Sequence, residues 1–170
     1  MTSTNGAITQ ELSYSSANAI TATGAATFTA SDGASPTETR YDITLTNPDN
    51  DFGTANLTGQ AVQVKDKNAL TVVLDTRGDT TVVAGGALAV SGSVTGTGSD
   101  LTTSTTTSGL GTSFGATTVG GNLTSTTNDG PITQTGALTV TGTTNLTAGT
   151  GDITLNNAGN DFVGAVSSSG

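Results

Sequence analysis

Residues 42–52, Asp-Ile-Thr-Leu-Thr-Asn-Pro-Asp-Asn-Asp-Phe, return almost unchanged as residues 152–162, Asp-Ile-Thr-Leu-Asn-Asn-Ala-Gly-Asn-Asp-Phe. Eight of the eleven positions are identical, at an offset of 110 residues. A second match joins residues 19–30 to 137–148 at an offset of 118, and a third joins Asn5-Gly-Ala-Ile-Thr-Gln to Asp129-Gly-Pro-Ile-Thr-Gln at 124. Internal repetition of this kind constrains a fold more than any single motif, because each copy must find the same local structure. The falling offsets place about six extra residues near Glu11–Asn18 and about eight more in residues 31–41. The second segment, with Pro36 and three charged residues, reads as an inserted surface loop.

Within each copy the apolar residues alternate with polar ones over only three to five positions, as in Leu138-Thr-Val140 and Ile153-Thr-Leu155. Alternation of period two marks strands with one buried face. The gaps, rich in Gly, Asn, Thr and Asp, are too short for helices. Leu57, Leu101, Leu123 and Leu146 each precede a threonine at spacings of 44, 22 and 23, which suggests coils of about 22 residues and seven to eight of them. The expected fold is all-β, a parallel β-helix over residues 1–170, one segment of a longer chain. Its inward residues would be Leu45, Leu57, Val72, Leu88, Val90, Leu101, Phe114, Leu123, Leu138, Val140, Leu146, Ile153, Leu155 and Phe162, stacked coil on coil. A β-sandwich is the competing arrangement. The 22-residue repetition, the lack of Asn-Gly hairpin turns and the few aromatics favour the β-helix.

Composition narrows the function classes. Threonine is the commonest residue and proline is rare, a bias toward strands rather than disorder. Net charge is -9 with four basic residues, so a phosphate-tracking nucleic-acid surface is not expected, and neither is an anionic membrane. No apolar run is long enough to span a bilayer, and no charged leader with an apolar core follows Met1. Cysteine and histidine are absent, which removes disulfides, thiolate and imidazole metal sites and histidine-based triads.

The phrases Asp152-to-Gly170 and Gly136-to-Leu155 resemble repeats of filamentous haemagglutinin-like exoproteins, the large surface adhesins of Gram-negative bacteria. That resemblance implies a right-handed parallel β-helix that forms a stalk in an extracellular, cell-surface filament. Its partners would be a protein or glycan on a host or neighbouring cell. It brings no catalytic residue with it. The alternative expectation is a fibre subunit stacking end to end through uncapped coils.

Candidate site residues are few. Asp49 and Asp51 offer oxygen ligands for calcium, but the nonapeptide of calcium-binding β-rolls and the EF-hand loop are both missing, and Asp51 recurs as Asp161. A recurring corner residue that bonds local backbone explains Asp51 equally well. Asp75 and Asp79, flanking Arg77, are the other paired carboxylates; no enzyme is expected from them. Asp32, Pro36, Glu38, Arg40 and Tyr41 in the inserted loop are the candidate contact residues for a partner. Thr-x-Thr pairs at 21/23, 27/29, 44/46 and 139/141 suit a water-ordering ladder, though threonine is also simply a good exposed strand residue. Asn56, Asn122 and Asn145 each begin an Asn-Leu-Thr glycosylation sequon.

Overall fold

The computed structural model describes residues 1–10, 18–34 and 37–170. Most of the insertion expected near Glu11–Asn18, and Pro36 of the inserted loop, lie outside them. Among the described residues the fold is a parallel β-solenoid of two sheets. A ten-stranded sheet runs β1 (Thr2–Ser3), β3 (Thr21–Ala30), β5 (Asp51–Gly59), β7 (Leu70–Thr76), β9 (Leu88–Val94), β11 (Thr112–Val119), β13 (Ile132–Gln134) and β16 (Ile153–Thr154). Beside it, β14 (Leu138–Val140) and β17 (Asp161–Phe162) continue from the second half of β11. An eight-stranded sheet runs β2 (Ile8–Thr9), β4 (Ile43–Leu45), β6 (Val62–Asp66), β8 (Thr80–Ala84), β10 (Leu101–Thr105), β12 (Leu123–Thr126), β15 (Thr144–Thr147) and β18 (Val166–Ser169).

Each strand pairs with its equivalent one coil away, so the chain winds rather than folding back in hairpins. From Ile43 the eight-stranded register steps through Val62, Thr80, Leu101, Leu123, Thr144 and Val166, six turns of 18–22 residues. The turn before them spans 35 residues, from Ile8 to Ile43, because it carries both insertions. Seven to eight even coils thus become six regular turns preceded by one enlarged one.

The alternation expected from sequence decides what faces inward. Leu45, Leu57, Val72, Leu88, Val90, Leu101, Phe114, Leu123, Leu138, Val140 and Leu146 are all buried in one continuous core, while Ile153, Leu155 and Phe162 are half-buried against it. Side chains stack between coils about 4.8 Å apart, as in Phe28 on Leu57 on Leu74. Phe28 and Phe52 also meet edge to face, with ring centroids 5.6 Å apart.

Register departs from the sequence reading in two places. The Leu-Thr phrases do not form one column. Leu101 stacks on Leu123, but Leu57 lies in the ten-stranded sheet and Leu146 pairs with Ser125. The strand-entry bonds decide this, since Thr143 is tied to Asn122 and so sets Thr144, not Leu146, opposite Leu123. The long repeat also changes face. Ile43 is in the eight-stranded sheet, whereas its copy Ile153 pairs with Ile132 in the ten-stranded one. The phrase therefore encodes a strand, a corner and a strand, and not a place around the coil.

Candidate functional site

What the repeated phrase does is visible at its corner. Asn50 is fully buried, and its Oδ1 accepts from Gln10 Nε2 at 2.7 Å and from the Ile20 backbone N–H at 2.9 Å. Its Nδ2 donates to Gln10 Oε1 at 3.0 Å, to the Leu45 carbonyl and to the Lys65 carbonyl, both at 3.2 Å. Gln10 Oε1 also accepts from the Asn47 backbone N–H. The second copy repeats the arrangement. Asn160 exchanges bonds with Gln134 at 2.8 and 2.9 Å, accepts from Leu138 N–H and donates to the Leu155 carbonyl, while Asn157 N–H reaches Gln134 Oε1. In both, the glutamine sits at the end of one strand and the Leu-x-Asn-x-x-Asn corner belongs to the next coil. Two side-chain amides bonded face to face satisfy each other's donors and acceptors, so they can be buried where a lone amide could not.

A second set of polar residues links coils at the entry to the eight-stranded sheet. Asp42 accepts from Ala61 N–H, Asp79 from Asp100 N–H, Asp100 from Asn122 N–H and Nδ2, and Asn122 from Thr143 N–H and Oγ1. Each Asx side chain thus holds the backbone one coil ahead. Asp129, at φ 60°, is the one non-glycine with positive φ among the described residues.

The inserted loop is strapped to the coil wall. Its base closes through a Ser31–Arg40 antiparallel bridge, and Asp32 Oδ1 accepts from Ala34 N–H and Thr39 N–H, which hold its carboxyl below the usual range. Arg40 lies flat on the wall with its side chain 9% exposed, in a bidentate pair with Asp75 at 2.7 and 2.9 Å. Glu38 bridges Arg40 and Arg77, both at 2.9 Å; its bond to Arg40, with one to Ser31, lowers its pKa. Burial opposes the charge on Arg40, but the bonds to Asp75 and Glu38 outweigh it and raise its pKa. Tyr41 is partly buried against the core, with its hydroxyl directed at Asn5 Oδ1. Of the five candidate contact residues, Asp32, Glu38, Arg40 and Tyr41 are engaged within the molecule, and Pro36 lies outside the described residues.

The two carboxylates expected to hold calcium, Asp49 and Asp51, both act on the Lys67 ammonium. Asp51 pairs with Lys67 at 2.8 Å and with Asn68 at 2.9 Å, bonds that lower its pKa, while Asp49 is exposed and bonded through its backbone N–H to Asn47 Oδ1. Among the described residues no group of three or more acidic side chains is placed to hold a metal ion. Among the described residues Asp66 is the one buried carboxylate, accepting from Phe52 N–H and Asn68 N–H. Burial nonetheless raises its pKa. Asp75 and Asp79 part company, one to Arg40 and the other to Asp100 N–H.

Both clamps fall inside the segments, residues 1–58 and 98–169, that match the family model described as repeats of unknown function, DUF5649. The chain belongs to the DUF5649 repeat family. No curated protein and no solved structure matches it. The segment between the two DUF5649 matches holds the shortest coils, with steps of 17 and 18 residues from Thr54 to Thr71 and from Leu70 to Leu88. It also carries Lys65, Lys67 and Arg77, three of the four basic residues.

Gln10 and Gln134 were not singled out from sequence, although both close the third match. The signal was present: in the matched phrases the glutamine and two asparagines are identical, while Thr46, Pro48 and Asp49 around the asparagines are replaced by Asn156, Ala158 and Gly159. Identical polar residues at a corner point to a bond between coils.

Proposed function

We propose that the chain is a structural stalk segment of an extracellular, adhesin-like filament at a bacterial cell surface, of the filamentous haemagglutinin-like kind. The observation that carries this reading is where the polar chemistry goes. The clustered amides, carboxylates and guanidinium groups of the described residues bond one coil to the next or the loop to the wall. Such a body transmits force and spans distance along its axis, and its stability is a sum over neighbouring coils. A surface protein or glycan would be met at the inserted loop strapped to an otherwise Thr-rich wall.

Antibody labelling of intact and permeabilised source cells, together with adhesion of cells carrying or lacking the gene, tests the reading. Labelling of intact cells with reduced adhesion on deletion is expected. Labelling only after permeabilisation contradicts it. A second reading, end-to-end assembly, is favoured by the half-buried Ile153, Leu155 and Phe162, whose free faces another coil would cover. Light scattering that shows mass rising with concentration supports that version, and a constant monomer mass refutes it.

A further inference from the structure

The outward side of the eight-stranded sheet carries a regularity that the coil-to-coil corner bonds leave unused. Thr102, Thr124, Asn145 and Ser167 stand in one column, and Ser104, Thr126, Thr147 and Ser169 in another. Members of a column are one coil apart, about 4.8 Å, and the two columns are two residues apart along the strands, about 6.6 Å. The steps here are 22, 21 and 22 residues, beyond both insertions, so the rows repeat evenly. All eight side chains are uncharged, and each is exposed or half-exposed. Among the described residues the only side-chain hydrogen bond on this face runs from Ser167 Oγ to Asn145 Oδ1. The lattice ends upstream where Val83 and then Lys65 take the second column. None of the Thr-x-Thr pairs picked out by sequence belongs to it.

We propose that this face binds ice. A threonine hydroxyl both donates and accepts, and its methyl group favours an ordered neighbouring water cage. Four of the eight side chains are threonines, Thr102, Thr124, Thr126 and Thr147, and with Ser104, Asn145, Ser167 and Ser169 they present water with an evenly spaced two-dimensional array of uncharged hydrogen-bonding groups. Other partners fit less well. Sugar faces are gripped by aromatic rings, and these four strands contain none. Anionic polymers need basic clusters, and all four basic residues precede β8. The inference concerns this face of the purified chain and does not depend on a cell-surface location.

The test is ice growth in the presence of the full chain, read as crystal shape and as inhibition of recrystallisation. Faceted crystals and inhibited recrystallisation are expected. Thr126→Lys, at the middle of the lattice, should abolish both, while Thr118→Lys, exposed on the other sheet, should preserve them. Circular dichroism checks that each variant is folded. Thr126→Ser, which loses only a methyl group, should weaken the effect even if the lysine variant fails to fold. Unshaped ice with the native chain overturns the proposal, as does full activity in either Thr126 variant. Binding to crystalline cellulose without any effect on ice would also overturn it and assign the face to a polysaccharide.

Discussion

Replacing Asn50 with alanine removes the contact that joins three coils. Five hydrogen bonds are lost, two accepted and three donated, to Gln10, Ile20, Leu45 and Lys65. Gln10 keeps its bonds to Asn18 and Asn47, so its amide is weakened and not orphaned. The Leu45 carbonyl is left at a buried site, while Ile20 N–H and the Lys65 carbonyl are part-buried. At about 1 kcal/mol net per bond, with an added penalty for buried groups left unpaired, the loss is about 3–5 kcal/mol. Asn160→Ala removes a similar set, but water reaches that half-buried corner, and about 1–2 kcal/mol is expected. Equilibrium unfolding in urea gives both values. A double-mutant cycle between Gln10→Ala and Asn50→Ala should return a coupling of about 1–3 kcal/mol. A loss below about 1 kcal/mol for Asn50→Ala, or additivity in the cycle, would refute the clamp.

Three further outcomes follow from particular atoms. Thr144 Oγ1 is buried between Leu123 and Val166 without a partner, so Thr144→Val should raise stability by about 1 kcal/mol in the same urea assay; a decrease would contradict it. Gly92 takes φ 103° where a Cβ would collide with the Leu74 carbonyl, so Gly92→Ala should cost about 2–4 kcal/mol, read as a lowered urea midpoint. Glu38 has a folded pKa below its ordinary value, so its hold on the loop is complete above that value and is lost as pH falls through the depressed one. The Arg40 Hε resonance should stay fixed from neutral pH down to about 5 and move only below the usual glutamate range; movement at about pH 6 would refute the strap.

The sheets were legible in the sequence because alternation is a local signal. Leu138-Thr-Val140 says which side is buried whatever its neighbours do, and its two apolar residues are buried. Register was not legible from the same signal. Asn122-Leu-Thr and Asn145-Leu-Thr look equivalent, yet Asn122 holds the Thr143 backbone N–H at a strand entry, whereas Asn145 is an exposed residue within a strand and meets only the Ser167 hydroxyl. What separates them is a bond to Thr143, which lies between the two phrases and carries no pattern of its own. The clamp was half legible. Asn50 and Asn160 recur in the strongest match, but their partners Gln10 and Gln134 sit 40 and 26 residues away, and only the winding brings them together. The strapping of the inserted loop was not legible, because it depends on Asp75 and Arg77, two coils further along.

The central claim is that equivalent positions advance by one strand spacing per coil. The chain has no cysteine, so spin labels attach only where cysteine is introduced. With one label at Gln63→Cys, second labels at Thr124→Cys, Asn145→Cys and Ser167→Cys sit three, four and five coils away on the same column. Pulsed electron paramagnetic resonance should give distances that grow by about 4.8 Å at each step. Distances that fail to rise in order, or that rise by unequal jumps, would contradict the solenoid.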